Sequence, residues 1–279
     1  MFSKKAMLVR HQQMAVDSDN VSCQLIFDDV EHIHMPQNIK HKSLVTGNAA
    51  GTLCRQGDPD QSGGCFTKGT RVHTRDGLKR IEEIQVGDYV LSSPEDGSGA
   101  PEYRQVVNTF KHEKKRVFKV GFREPGHNSQ MVSVNATGNH PFWIEGLGWT
   151  RADELRNGQI LRTADGSRRV VDIVKPIYRT KLEGIGWFGA KATVDEGTWG
   201  GCFDYANGTV FEDPDDELKY IDPEILNSDN PFLEVAVYNF EVEGHHTYYV
   251  SSVGIWVHNT HCVNVRLFNE ANGVAPTAK

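Results

Sequence analysis

No apolar run in the chain approaches the roughly 18 residues that a membrane-spanning helix needs. Lys4 and Lys5 lead into Arg10, His11, Gln12 and Gln13 instead of an apolar core. Neither a transmembrane anchor nor a secretory signal is expected. Positive charge is not in excess either: 30 Lys and Arg stand against 37 Asp and Glu, a net charge of −7. A general nucleic-acid binder would show a basic face. Cysteine is scarce and odd in number, five residues with no Cys-x-x-Cys pair, which argues against a disulfide framework or a zinc ribbon. What remains is 279 residues, 38% hydrophobic and 24% charged, enough to bury a core as one large domain or two small ones. With 27 Gly and 11 Pro, the chain reads as turn-rich, cytoplasmic and built of short strands.

The first 64 residues differ in texture from the rest. Val21, Cys23, Leu25 and Phe27 suggest one strand, His32, His34 and His41 read as solvated loop residues, and Gly-Asp-Pro-Asp-Gln-Ser-Gly-Gly (57–64) reads as a linker. From Cys65 short strands alternate with turn chemistry. They are expected at 70–74, 86–91, 117–122, 131–137, 160–161, 170–177, 235–242 and 248–257. A one-turn helix is expected around Ile81 and Ile84, and a capped one from Thr150 to Asp153, closing at Gly158. Residues 178–230, with Trp187, Trp199 and an acidic stretch at 212–217, read as an insertion with one or two strands. The organisation expected is a flank at 1–64, an all-β domain at 65–259 and a second flank at 260–279.

Four features in that domain carry chemistry: Gly64-Cys65, Thr137-Gly-Asn-His140, His245-His246 and His258-Asn259-Thr260. Singly each has a plain structural explanation. Together they mark both edges and the middle of one β domain, where strand pairing can gather them. A thiol is the strongest nucleophile near neutral pH. Cys65 follows two glycines, so the Gly64 carbonyl has no side chain shielding it, and attack there converts an amide into a thioester. His140 is placed to protonate the departing Cys65 amine, and Thr137 to donate to the oxyanion or to hold the peptide. At the far edge the Asn259 side-chain amide can attack its own carbonyl, form a succinimide and break the 259–260 bond. His258 and His246 are the proton carriers at hand, and the Thr260 hydroxyl is an acceptor for an acyl group.

These residues resemble the Hint superfamily of hedgehog and intein autoprocessing domains, in particular its bacterial intein-like and pretoxin branch. Cys65-Phe-Thr-Lys-Gly-Thr-Arg-Val (65–72) is similar to the opening block, and Ile81 to Ser92 to the segment after it. Thr137-Gly-Asn-His-Pro-Phe (137–142) is similar to the TxxH block, and Trp149 with Ala152 to Leu155 and Gly158 to the segment that follows. Val237 to Val250 and Val257-His-Asn (257–259) are similar to the closing blocks. The resemblance implies a flat, horseshoe-like, pseudo-twofold β fold with both scissile bonds at its centre. It implies Cys65 as the acyl-shift nucleophile, with Thr137 and His140 assisting. It implies His246 as the upstream assistant of carboxy-terminal cleavage, His258 as the penultimate histidine and Asn259 as the cyclising residue.

Two departures stand out. Many inteins carry Asp in the closing strand where this chain has Asn239, which cannot act as acid or base, and residue 260 is Thr, a poorer nucleophile than Cys or Ser. Asn239 and the pretoxin-like blocks weigh toward cleavage of both bonds, and so toward release of a cargo such as a toxin, whereas the hydroxyl of Thr260 favours splicing of the flanks as the competing outcome. The segment 143–234 is too short for a homing-endonuclease insert, and sterol transfer leaves His258-Asn259 without a role. The expected activity is single-turnover and cofactor-free. The chain is expected to act as a monomer on its own flanking segments, with no nucleic-acid or membrane partner, in the cytoplasm before any export with a host effector. Three rivals explain less. A cysteine peptidase acting in trans leaves the His258-Asn259-Thr260 ending unexplained. An inactive β-rich interaction module leaves every competent side chain idle. A metal site on His258, His261 and Cys262 is cramped for ligands from one strand.

Overall fold

The computed structural model describes residues 63–126, 129–189, 200–210 and 222–259. The strand expected at 21–27, the histidines at 32, 34 and 41, Trp199, the acidic stretch 212–217 and Thr260, His261 and Cys262 lie outside the described residues. Within them the chain is all-β, with two 3-10 turns and one four-residue helix, Pro223–Leu226. Most strands belong to one 13-stranded sheet. No helix among the described residues is long and apolar enough to cross a membrane.

The frame is the 22-residue strand Glu102–Arg123, which pairs in turn with Tyr89–Ser92, Glu234–Val242, Val132–Thr137 and Arg168–Pro176. Only 117–122 of it was expected as strand, and the reason is local. None of Val107 to Arg116 is buried, and Lys111, His112, Glu113, Lys114 and Lys115 read as a polar connection. Pairing with Glu234–Val242, not burial of its own side chains, makes that half a strand.

Two short strands then place the domain's ends. Phe66–Thr67 is wedged between Ala136 on one side and Tyr238 on the other, with Thr67 facing Val237. At the other end Ile255–His258 pairs with Thr247–Val250, and Val257 also faces Phe142. The strands Val132–Thr137 and Pro141–Ile144 are joined by the Gly138–His140 turn, so the beginning and end of the domain flank that turn from opposite sides. The core beneath is Phe66, Val120, Phe122, Val134, Phe142, Leu161, Phe240, Tyr248, Val257 and their neighbours, each nearly or fully buried.

Three local expectations are corrected. The segment Tyr248 to Val257 is a hairpin of two strands, not one, turning through Ser251 and Gly254 at φ 69° and 66°. The helix expected at Thr150–Asp153 is a single 3-10 turn, Ala152–Glu154, with no side-chain cap. Its first backbone donors go elsewhere: Ala152 N–H to His140 O at 2.9 Å and Asp153 N–H to Gly138 O at 3.0 Å. The Arg151 guanidinium clamps Asp153 at 2.8 and 2.9 Å, and the turn ends where Leu155 takes an extended ψ of 147°. Finally, the insertion region holds four described strands, not one or two: Tyr178–Arg179, Ile185–Gly189, Gly200–Asp204 and Thr209–Val210 form a separate sheet.

Candidate active site

The peptide bond between Gly64 and Cys65 is gripped at both ends by side chains distant in sequence. The Cys65 N–H donates to Thr137 Oγ1 at 2.9 Å, and the Thr137 hydroxyl donates onward to Asn139 Oδ1 at 2.7 Å. The Thr137 proton is therefore committed, and of the two roles expected for this residue the geometry supports holding the peptide, not donating to an oxyanion. Thr137 N–H returns a bond to Cys65 O at 2.9 Å. On the other side of the bond, the Gly64 carbonyl accepts from Asn239 Nδ2 at 2.5 Å. The Cys65 sulfhydryl folds back to donate to Gly63 O at 3.4 Å, and the residue is 2% exposed.

Asn239 thus has a place that the sequence comparison with Asp obscured. It cannot carry a proton, but it is the hydrogen-bond donor on the carbonyl that Cys65 would attack. The sequence did hold a signal: Val235, Val237 and position 239 share one inward parity of the strand, and an Asn in phase with two buried valines needs a polar partner.

His140 lies against the same bond. A methyl group added to Gly64 would stand 2.5 Å from His140 Cα and 2.6 Å from Nδ1, so only glycine lets the chain pass this close. The imidazole is fully buried, 4.1 Å centroid to centroid from Phe66, with Phe142 and Tyr248 edge-on at 5.7 and 6.4 Å. Neither ring nitrogen meets full hydrogen-bond geometry with a described residue, and the Gly64 backbone is the one group close enough to favour the charged ring. An unpaired buried polar group costs about 1–3 kcal/mol, and such groups cluster where chemistry needs them. Burial above all, then the nearby His258, lowers the His140 pKa to about 3, with the Gly64 backbone opposing weakly. At neutral pH it is a neutral base.

That shift has a consequence for stability. The unfolded chain binds a proton at His140 below about 6.5, whereas the folded chain does so only near 3. Stability therefore falls as pH drops through that window, by at most about 1.4 kcal/mol per pH unit from this group. Burial lowers His258 in the same direction. In Cys65→Ala/Asn259→Ala protein, Tm is expected to drop between about pH 7 and about pH 5, and His140→Phe to shrink the drop. Equal Tm at both pH values in the parent would contradict the buried neutral histidine.

The second bond is framed by the hairpin end. Asn259 is 7% exposed, its backbone N–H donates to His246 O at 2.9 Å, and its side-chain Nδ2 donates to Phe240 O at 3.0 Å. His246 sits at φ 51°, an uncommon conformation for a non-glycine residue, and half-buried, and it meets Asn259 through its carbonyl. His258 is 1% exposed, edge-on to Trp149 at 5.0 Å, with Nε2 3.5 Å from Glu95 Oε1. Burial holds its pKa below the ordinary imidazole value against the pull of Glu95. His245 turns the other way, its Nε2 3.2 Å from Glu102.

The two sites meet on one dipeptide. The Asn239 side chain reaches Gly64, and the Phe240 carbonyl holds the Asn259 amide. Of the seven residues expected to act, Cys65, Thr137 and His140 lie together at the Gly138–His140 turn, and His246, His258 and Asn259 at the hairpin end. The seventh, Thr260, lies outside the described residues. Glu95 was missed; it precedes the Asp96-Gly97 loop, and nothing local announces that this loop folds over the hairpin end. Among the described residues, no three His, Cys, Asp or Glu side chains converge as metal ligands.

The family model described as the pretoxin HINT domain matches residues 71–179. Among solved structures, the chain is similar to the bacterial intein-like domain from Clostridium thermocellum at 22% identity, covering 70% of this chain and 98% of that one, with a TM-score of 0.44. It is also similar to a DnaB intein from Synechocystis sp. PCC 6803 at 16% identity, covering 71% and 99%, with a TM-score of 0.42. A search of curated proteins returns no match. The family model supports the resemblance read from the sequence motifs over residues 71–179, and the described residues are all-β as expected.

Proposed function

We propose that this Hint-superfamily domain rearranges two of its own peptide bonds, at 64–65 and 259–260, in a single turnover without a cofactor. Autoprocessing in general goes with such a domain. The steps are assigned from the site.

Cys65 Sγ attacks the Gly64 carbonyl carbon. Its proton passes to neutral His140, and the developing oxyanion is held by Asn239 Nδ2, already on that oxygen at 2.5 Å. Collapse breaks the C–N bond. His140 returns the proton to the Cys65 amine, which Thr137 Oγ1 has kept aligned, and a thioester links residue 64 to the sulfur. Water, an added thiol or the Thr260 hydroxyl then takes the acyl group. At the other edge, Asn259 Nδ2 attacks its own carbonyl carbon and expels the residue 260 amine. His258 takes one amide proton and supplies one to the leaving amine, leaving a succinimide at the end of the domain. The observation that carries this reading is the double grip on one peptide bond, Thr137 on its nitrogen and Asn239 on its oxygen, with a thiol on the next carbon. A structural role for these residues gives no reason to spend two buried side chains on a single peptide.

Intact mass spectrometry tests it. Wild-type protein is expected to yield a 65–259 species of about 22 kDa out of the full 31.2 kDa. Cys65→Ala/Asn259→Ala should stay whole. Joined flanks of about 9 kDa would make Thr260 a working acceptor, and separate flanks of about 7 and 2 kDa would mean cargo release. Wild type that stays whole with added thiol would overturn the reading.

A further inference from the structure

Resting on that reading, we infer that Tyr248 is a positioning residue for amino-terminal cleavage: its phenol anchors the Asn239 amide so that the nitrogen presents to the Gly64 carbonyl. The expected chemistry of Cys65, Thr137 and His140 makes no use of Tyr248.

An Asn side chain is nearly symmetric in shape, and its hydrogen-bond partners alone decide which end faces which neighbour. Asn239 has three. Gly64 O can only accept and takes Nδ2 at 2.5 Å. Phe240 N–H can only donate and reaches Oδ1 at 2.8 Å. Tyr248 OH also donates to Oδ1, at 2.8 Å. The Phe240 bond is local to the strand, between adjacent residues. The Tyr248 bond comes from another strand and fixes the amide in space. Two donors on Oδ1 also draw charge toward it and sharpen Nδ2 as a donor, as in any chain of hydrogen bonds in a dry interior.

The surroundings keep the phenol in that one role. Tyr248 is fully buried, packed on Phe240 at 4.3 Å and near Phe66 and His140 at 6.3 and 6.4 Å. Burial first, then the Cys65 thiol, raises its pKa well above the ordinary tyrosine value, so it stays protonated wherever processing would run. Tyr248 faces Val257 on the hairpin that ends in His258 and Asn259. The carboxy-terminal hairpin thereby holds the oxyanion donor of the amino-terminal bond.

A double-mutant cycle tests this in full-length chains carrying Asn259→Ala, read as the rate of thiol-dependent release of residues 1–64. Tyr248→Phe should slow release about tenfold, the effect of one lost hydrogen bond. Asn239→Ala should slow it at least about a hundredfold, as expected for loss of an oxyanion donor. The double substitution should be no slower than Asn239→Ala alone. An unchanged rate in Tyr248→Phe overturns the inference, as does a further tenfold loss in the Asn239→Ala background, which would make Tyr248 a general packing residue. Absence of release from the parent sinks the processing reading itself. A second measurement needs no turnover: in Cys65→Ala/Asn259→Ala protein the Asn239 side-chain amide NMR signal should shift, and its protons exchange faster, on Tyr248→Phe. An amide signal that ignores the phenol overturns the inference by itself.

Discussion

Thiol-induced release of residues 1–64 is expected to fall to background in Cys65→Ala, a loss of at least about a thousandfold, while cleavage at 259–260 continues. The size follows from covalent catalysis: without the sulfur there is no acyl acceptor, and the remaining grip on the peptide has nothing to assist. The persistence of the second cleavage follows from the site. Asn259 is held by the carbonyls of Phe240 and His246 and follows His258, which faces Glu95; none of these contacts depends on the thiol. Alanine also keeps the Cys65 N–H on Thr137 and the O on the Thr137 N–H, so the wedge of Phe66–Thr67 between its two partners survives. Intact masses with and without dithiothreitol measure both cleavages at once. Release at 64–65 that survives in this variant would move the nucleophile elsewhere.

The residues legible in the sequence are those whose chemistry is local. Thr137 and His140 occupy one turn, His258 and Asn259 one strand end, and Gly64-Cys65 one dipeptide; each needs only its own neighbours to be recognised. Asn239 and Glu95 act on partners far along the chain, with 175 residues between Asn239 and Gly64, and Tyr248 acts through Asn239 from a neighbouring strand. Their roles exist only once Phe66–Thr67 has paired with Glu234–Val242 and the loop before Asp96 has met the hairpin end. The same asymmetry runs through the fold. Strands with one buried face, such as Val132–Thr137, were visible as alternation. The exposed half of Glu102–Arg123 was not, because its stability comes from a partner strand. The turn at Ala152 was over-read as a helix because carbonyls at Gly138 and His140 cap it in place of a side chain, and Leu155 turns extended directly after it, neither of which a sequence displays.

Asn259→Ala is expected to produce the complementary result: no cleavage at 259–260, again a loss of at least about a thousandfold, with thiol-dependent release of residues 1–64 intact. The nucleophile here is the side-chain nitrogen itself, and alanine has none. In the folded chain that nitrogen is not idle in solvent; it donates to Phe240 O at 3.0 Å beside a backbone N–H tied to His246 O. The amide therefore stands in one place before reaction, which removes part of the entropy cost of closing a five-membered ring. His258, buried and held below the ordinary imidazole pKa, is neutral at pH 7 and so begins as the proton acceptor, with Glu95 at 3.5 Å setting which ring nitrogen carries the proton. The alanine variant removes the amide but neither histidine nor acid, so it separates cyclisation from simple hydrolysis of the 259–260 bond. Mass spectrometry of the released pieces distinguishes them further, since a domain ending in succinimide is about 18 Da lighter than its hydrolysed form, the mass of one water that cyclisation does not consume. A wild-type domain without that deficit at the earliest times, or an Asn259→Ala chain that still parts at 259–260, would show that water and not the amide breaks this bond.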